Sequence, residues 1–108
     1  MGTKVVIVAY RPRVGKADAL RELVLEHVPA LRVQGLVTER PAICMRATDG
    51  TIVEIFEWQS AEAVVSAHSN PAVQSMWARF GELCDCIPIG SVPEAGQPFS
   101  AFTPLEYP

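Results

Sequence analysis

Four titratable side chains in this sequence fall among apolar neighbours, where ordinary packing would not ask for them. His68 follows Ala61, Val64 and Val65 at helical spacing. An imidazole there is either a base or donor near neutral pH, or a core histidine satisfied by a carboxylate or carbonyl. His27 lies among Leu20, Val24 and Leu31, two residues before Pro29. It either caps carbonyls that the proline frees or lines one pocket together with His68. Glu54 is flanked on its strand face by Ile52 and Phe56, and Glu57 lies on the opposite face. Each glutamate either pairs with Arg46 or a histidine, faces solvent at a strand end, or stays buried and unpaired. The last state suits taking a proton from a phenol or enol. His68, Glu57 and Glu54 are therefore the candidate catalytic residues. Tyr10, His27, Arg46, Trp58 and Trp77 are the candidate substrate contacts. Arg46 or Tyr10 is placed to stabilise an oxyanion, and the indoles either form a flat wall for a planar ligand or are plain core.

The elements that must position these groups are legible from periodicity and punctuation. Residues 4–10 form a β-branched, apolar run that reads as a strand buried on both faces. Residues 16–34 read as a helix with Leu20, Leu23, Val24, Val28 and Leu31 in one stripe and Gly35 just past its end. Pro29 predicts a kink or an early end near residues 25–28. Residues 41–48 and 51–58 flank Asp49-Gly50, the signature of a two-residue type I′ hairpin. That register sets Met45 opposite Glu54 and Cys44 opposite Ile55, with Ile43, Met45, Ala47, Ile52, Glu54, Phe56 and Trp58 on one face. Ser60 and Asn70-Pro71 are helix starts, with Val73, Met76, Trp77, Phe80 and Cys84 lining the second of the two helices. Residues 87–92 read as a last strand, either at an edge or carrying a bulge because it holds Pro88. The tail, residues 93–108, carries Phe99, Phe102, Leu105 and Tyr107 among four prolines. It is expected to drape over its own domain, residues 1–92, or over a partner subunit.

This β-α-β-β-α-β order predicts an α+β, ferredoxin-like fold with a four-stranded antiparallel sheet and its helices on one face. The other sheet face is also mostly apolar. A monomer rarely exposes such a patch, so a second copy packed sheet on sheet is expected, giving a homodimer.

Composition restricts the function classes. The chain has 108 residues, 49% of them hydrophobic, and a net charge of −3. One domain fits that length. The acidity argues against nucleic acid as a partner, and no apolar run approaches the ~20 residues of a membrane helix. The start of the chain lacks a signal-peptide pattern, and Val6 stands where a myristoylation motif needs Ser or Thr. Three cysteines point to reduced thiols and a cytoplasmic protein. Cys84-Asp85-Cys86 is not a CxxC pair, and no second pair completes a zinc site, so no metal is expected. No phosphate-binding glycine loop, GxSxG, HExxH or Walker motif is present, and no cofactor is expected.

Three segments resemble one family. They are Tyr10-Arg-Pro with Gly15, the run Asp49-Gly-Thr-Ile-Val-Glu-Ile-Phe-Glu-Trp58, and Ser60-Ala-Glu-Ala with His68 and Pro71. Together they are similar to the dimeric α/β-barrel superfamily, in its antibiotic biosynthesis monooxygenase (ABM)-like branch. The most specific element is Glu57 followed eleven residues later by His68. The resemblance, over residues 4–92, implies two sheets joined into a barrel across a dimer, with a small-molecule cleft in each subunit. It also implies chemistry ranging from cofactor-independent oxygenases to isomerases. Haem-degrading members use an Asn on the first strand, and residues 5–10 contain none.

Two readings of function follow. One is a cofactor-independent monooxygenase or isomerase acting on an aromatic or enolisable small molecule. The other is a non-catalytic ligand-binding or structural dimer whose cleft is filled by its own side chains. A cavity holding His68 and at least one more titratable group favours the first, and a closed, dry core favours the second.

Overall fold

The computed structural model describes residues 2–106. Tyr107, one of the tail aromatics, lies outside the described residues. Strand β1 (Lys4–Pro12) leads into helix α1 (Ala17–Val33), then strands β2 (Ile43–Arg46) and β3 (Ile52–Trp58). Helices α2 (Ala61–Ala67) and α3 (Pro71–Leu83) follow, then strand β4 (Cys84–Ile87), and the tail contributes a two-residue strand β5 (Thr103–Pro104). The sheet is antiparallel, in the order β4-β1-β3-β2-β5. It therefore has five strands, not the expected four. The fifth comes from the tail, whose lack of periodicity hid a short pairing with Met45 and Arg46.

The helix ends are built as the sequence indicates. Gly35, at φ 73°, closes α1 in a Schellman motif, with Gly35 N–H donating to Arg32 O and Leu36 N–H to Leu31 O. Ser60 accepts from Ala63 N–H, and Asn70 from the N–H groups of Ala72 and Val73. Helix α1 spans nearly the expected residues and continues through Pro29 to Val33, so of the two effects expected of the proline the early end does not occur. The apolar stripe explains this. Val28 and Leu31, on either side of the proline, are both fully buried, and their packing offsets the lost hydrogen bond.

The β2–β3 register also differs. Cys44 faces Glu54, Met45 faces Val53 and Arg46 faces Ile52, one residue away from the type I′ alignment. The loop has three residues, Thr48, Asp49 and Gly50. Gly50 N–H donates to Ala47 O, and Ala47 N–H donates to Thr51 O. Gly50 alone in this loop has positive φ, at 94°, whereas a type I′ turn needs it at Asp49 as well. The geometry is a type I turn closed by a glycine bulge, with the Asp49 carboxylate accepting from Thr51 N–H. A slip of one residue turns every β2 side chain over. Cys44, not Met45, therefore shares the inner face with Glu54.

The inner face meets the helices. Val6, Val8, Tyr10, Ile52, Phe56 and Trp58 pack there against Leu20, Leu23, Val24, Val28 and Leu31 of α1 and Val73, Met76 and Phe80 of α3. The outer face carries a smaller cluster of Ala9, Ala47, Val53 and Val92, with Met45, Ile87, Ile89, Ala95 and Phe102 against it. The tail reaches this face through 3-10 turns at Ile89–Ser91 and Pro93–Gly96. Glu94 pins it by accepting from both the N–H and the hydroxyl of Thr48, each at 2.7 Å. The rest of the outer face is open, with Val5, Ile7 and Ile43 each 50–55% exposed. The strand expected over residues 87–92 lies instead at Cys84–Ile87, because α3 passes directly into β4 with Cys84 already extended at φ −156°, and residues 89–91 form a 3-10 turn. No helix of the described residues is long and apolar enough to cross a membrane.

Candidate functional site

The inner face holds a polar cluster at its centre. Glu54, in the middle of β3, is fully buried, with Val8 of β1 on one side and Cys44 of β2 on the other. Its Oε1 accepts from the Tyr10 hydroxyl at 2.7 Å and lies 2.8 Å from His27 Nδ1. Its Oε2 has no hydrogen-bond partner among the described residues. His27 reaches Glu54 from the inner stripe of α1, one turn after Leu23 and Val24. Its other nitrogen, Nε2, accepts from the indole N–H of Trp77 on α3 at 3.3 Å.

These contacts fix the proton positions. An indole N–H can only donate, so His27 Nε2 is an acceptor. The imidazole hydrogen therefore sits on Nδ1 and is donated to Glu54. The ring is held edge-on between Phe80, at a centroid distance of 5.0 Å, and Phe56, at 5.5 Å. Tyr10 stacks on Phe80 at 4.9 Å. Burial, and then the neighbouring Glu54 charge, push the Tyr10 phenol far above its ordinary value, so it keeps its hydrogen and spends it on Glu54.

This cluster forms part of the wall of a cleft of about 580 Å³. Tyr10, His27 and the rings of Phe56, Trp58, Trp77 and Phe80 line it, together with Val6 and Val8. Exposed Arg13, Gly81, Asp85 and Cys86 form a polar portion of the lining. Arg13 donates to Gly81 O and pairs with Asp85 at 3.1 Å. Cys84 also lines the cleft, and burial pushes its thiol up to about 12, so it is neutral at ordinary pH. The volume suits a small organic ligand.

Of the residues singled out from sequence, Glu54, His27, Tyr10, Trp77 and Trp58 come together here. His27 does not cap carbonyls near Pro29, since both of its nitrogens face side chains. Glu57, His68 and Arg46 lie elsewhere. Glu57 points to the outer face, where its carboxylate accepts from the hydroxyls of Thr3 and Thr38, both at 2.8 Å, and from Arg40 Nε at 3.0 Å. Those three hydrogen bonds hold it below the usual carboxylate range. It ties the start of β1 to the segment after α1. His68 is exposed rather than on a buried stripe, because α2 buries Ala63 and Ala67 instead. Its Nδ1 lies 3.0 Å from Val64 O, and its ring touches the edge of Trp77 at 5.1 Å. Arg46 is exposed beside Thr103 of β5 and is outside the cleft lining. Sequence reasoning missed Arg13, Asp85 and Cys86. The alternation of Cys84 and Cys86 on one face of a strand paired with Tyr10 was the available signal. Among the described residues, no group of three or more His, Cys, Asp and Glu is arranged to hold a metal ion.

No family model matches the chain, and no curated protein matches it in sequence. Solved structures do share its fold. The Rv0793 protein of Mycobacterium tuberculosis superposes with a TM-score of 0.65 at 22% identity, over 80% of this chain and 89% of that one. A NIPSNAP family protein from Agrobacterium tumefaciens superposes with a TM-score of 0.55 at 19% identity, over 85% of this chain and 98% of that one. At these identities the likeness establishes a ferredoxin-like α+β fold.

Proposed function

We propose that the cleft binds an aromatic or enolisable small molecule and that His27, backed by Glu54, takes a proton from it without a cofactor. The observation that supports this reading is the chain Glu54 Oε1–His27 Nδ1–H, with Nε2 accepting from the Trp77 indole and both His27 and Trp77 lining the cleft. A carboxylate on one nitrogen fixes the tautomer and stabilises the imidazolium that forms when the other nitrogen gains a proton. The Trp77 N–H is then released and becomes a donor for the developing enolate oxygen. Return of the proton to a different carbon completes an isomerisation. Reaction of the carbanion with dioxygen completes a monooxygenation, in which a CH2 group is oxidised to C=O and the second oxygen atom leaves as water. Both outcomes share the first step.

That first step is measurable without the natural substrate. 2-Tetralone, an aromatic ketone with acidic C–H groups, is incubated with the protein in D2O and its α-proton signals are followed by NMR. Accelerated exchange that disappears in His27→Gln is the expected result. Exchange at the buffer rate with the native protein overturns the catalytic reading. The alternative is a ligand-binding protein without chemistry. It is favoured by the Trp77 hydrogen bond, which already occupies the lone pair a base would use.

The same reading includes a homodimer of the ABM-like kind. Val5, Ile7 and Ile43 are exposed on the outer sheet face beside a groove of about 680 Å³ between the sheet and the tail. Apolar side chains so placed gain by packing against a second sheet.

A further inference from the structure

The hydrogen-bond directions at the cleft carry information about its ligand, granted the reading that the cleft is a ligand site. Tyr10 gives its only hydrogen to Glu54, so its oxygen can only accept a further bond. His27 Nε2 is an acceptor as well. The nearest donor, the Trp77 N–H, is spent on that same nitrogen. The polar end of the cleft therefore offers acceptors to a newcomer.

Charge points the same way. Arg13 and Asp85 are the charged side chains in the lining, and they pair with each other at 3.1 Å. The Cys84 thiol is neutral. Behind the lining stands the Glu54 carboxyl, whose partners among the described residues are Tyr10 and His27, and no arginine or lysine. One of its oxygens has no hydrogen bond. The site thus sets a fully buried carboxyl group, with one oxygen lacking a partner and no arginine or lysine beside it, behind a largely apolar lining. Around it are the rings of Tyr10, Phe56, Trp58, Trp77 and Phe80, whose faces attract cations.

We infer that the ligand is an organic monocation, an amine with an aromatic or apolar body, whose N–H groups displace the Trp77 indole at His27 Nε2. An anion meets the acceptors Tyr10 and His27 with the Glu54 carboxyl behind them, and the one cation of the lining, Arg13, is already paired with Asp85. A neutral alcohol satisfies the acceptors but leaves the Glu54 carboxyl without a cationic partner.

Three probes of one shape separate these cases: 2-phenylethylamine at neutral pH, 2-phenylethanol and phenylacetate. Both tryptophans of the chain line the cleft, so their fluorescence reports occupancy directly. The amine should bind roughly tenfold more tightly than the alcohol, and the acid weakest. In Glu54→Gln, which keeps the shape and removes the ionisable carboxyl, the amine should fall to the level of the alcohol. Should that variant not fold, the ranking with the native protein decides. Equal binding of alcohol and amine, or tighter binding of the acid, overturns the cation assignment while leaving the cleft as a ligand site. Silence from all three overturns the cation assignment and removes support from the ligand-site reading as well.

Discussion

His27 and Glu54 meet at 2.8 Å across the interior, one from the middle of a helix and the other from the middle of a central strand, with both side chains buried. Each is the other's answer to a desolvation problem. Truncating one partner leaves the other's polar atom dry. His27→Ala should destabilise the fold by about 2–3 kcal/mol, and the paired replacement His27→Leu with Glu54→Met should recover most of that loss. Urea denaturation of the single and double variants checks this. A double variant no better than the single one would show that the pair is not the source of the cost.

Stability should fall in acid with a defined sign. Glu57 and Glu94 accept hydrogen bonds in the folded chain and are held below their ordinary range by them. A depressed folded pKa contributes stability that is complete above the unfolded value, near 4.5 for glutamate, and is lost as pH falls toward the folded one. Melting temperature should therefore be flat near neutrality and drop below about pH 4.5. Glu57→Gln should lower the plateau and flatten the drop. An acid limb unchanged in both Glu57→Gln and Glu94→Gln would assign the sensitivity elsewhere.

Gly50 isolates a pure backbone effect. A Cβ added there meets nothing within 4 Å, but φ stands at 94°. Gly50→Ala should cost about 1 kcal/mol through strain alone, read by thermal unfolding, whereas Gly96→Ala, without positive φ, should cost less.

Thiol chemistry offers a view of the cleft that does not depend on fluorescence. Cys44 and Cys84 are buried and Cys86 is exposed. A disulfide reagent should modify one thiol in the folded protein and three in denaturant, slowly in the first case because burial raises the Cys86 thiol pKa. Cys86 lines the cleft, so a bound ligand should slow its modification further.

The proposed dimer rests on side chains that can be changed without touching the cleft. Ile7 is half exposed on the outer face, and Ile7→Glu should yield a monomer by light scattering if the native protein is a dimer. A native protein that is monomeric at micromolar concentration would remove the partner from the proposal.

Much of this organisation was legible from residue order, and the failures have physical causes. Glu54 and His27 stand among large aliphatic residues, so their burial could be read from spacing alone. The β2 register could not. Asp49-Gly50 serves equally as a two-residue turn or as the end of a three-residue one. Polarity points to the wrong face, because Arg46 shares the inner face with Cys44 and stays exposed at the end of β2, while the apolar Ile43 and Met45 face outward. His68 was misplaced because α2 spans only seven residues, too few to define a stripe, and it buries small alanines where Val64 and Val65 drew attention. Glu57 was drawn into the candidate site by its spacing from His68 and by its place among apolar strand residues. Its partners Thr3, Thr38 and Arg40 lie outside any strand or helix that would have placed them beside it, apart from Thr3 at the foot of β1.

The tail also decides what this molecule cannot do. An open sheet edge offers unpaired backbone groups on which another chain can grow. Here the edge of β2 is capped by two residues, and the second of them, Pro104, has no N–H to give. The opposite edge, β4, is four residues long and is followed at once by Pro88. Proline thus stands at both borders of the sheet, as a stop against endless strand addition. Removing residues 97–108 should unmask the β2 border and promote edge-to-edge polymerisation, read by light scattering.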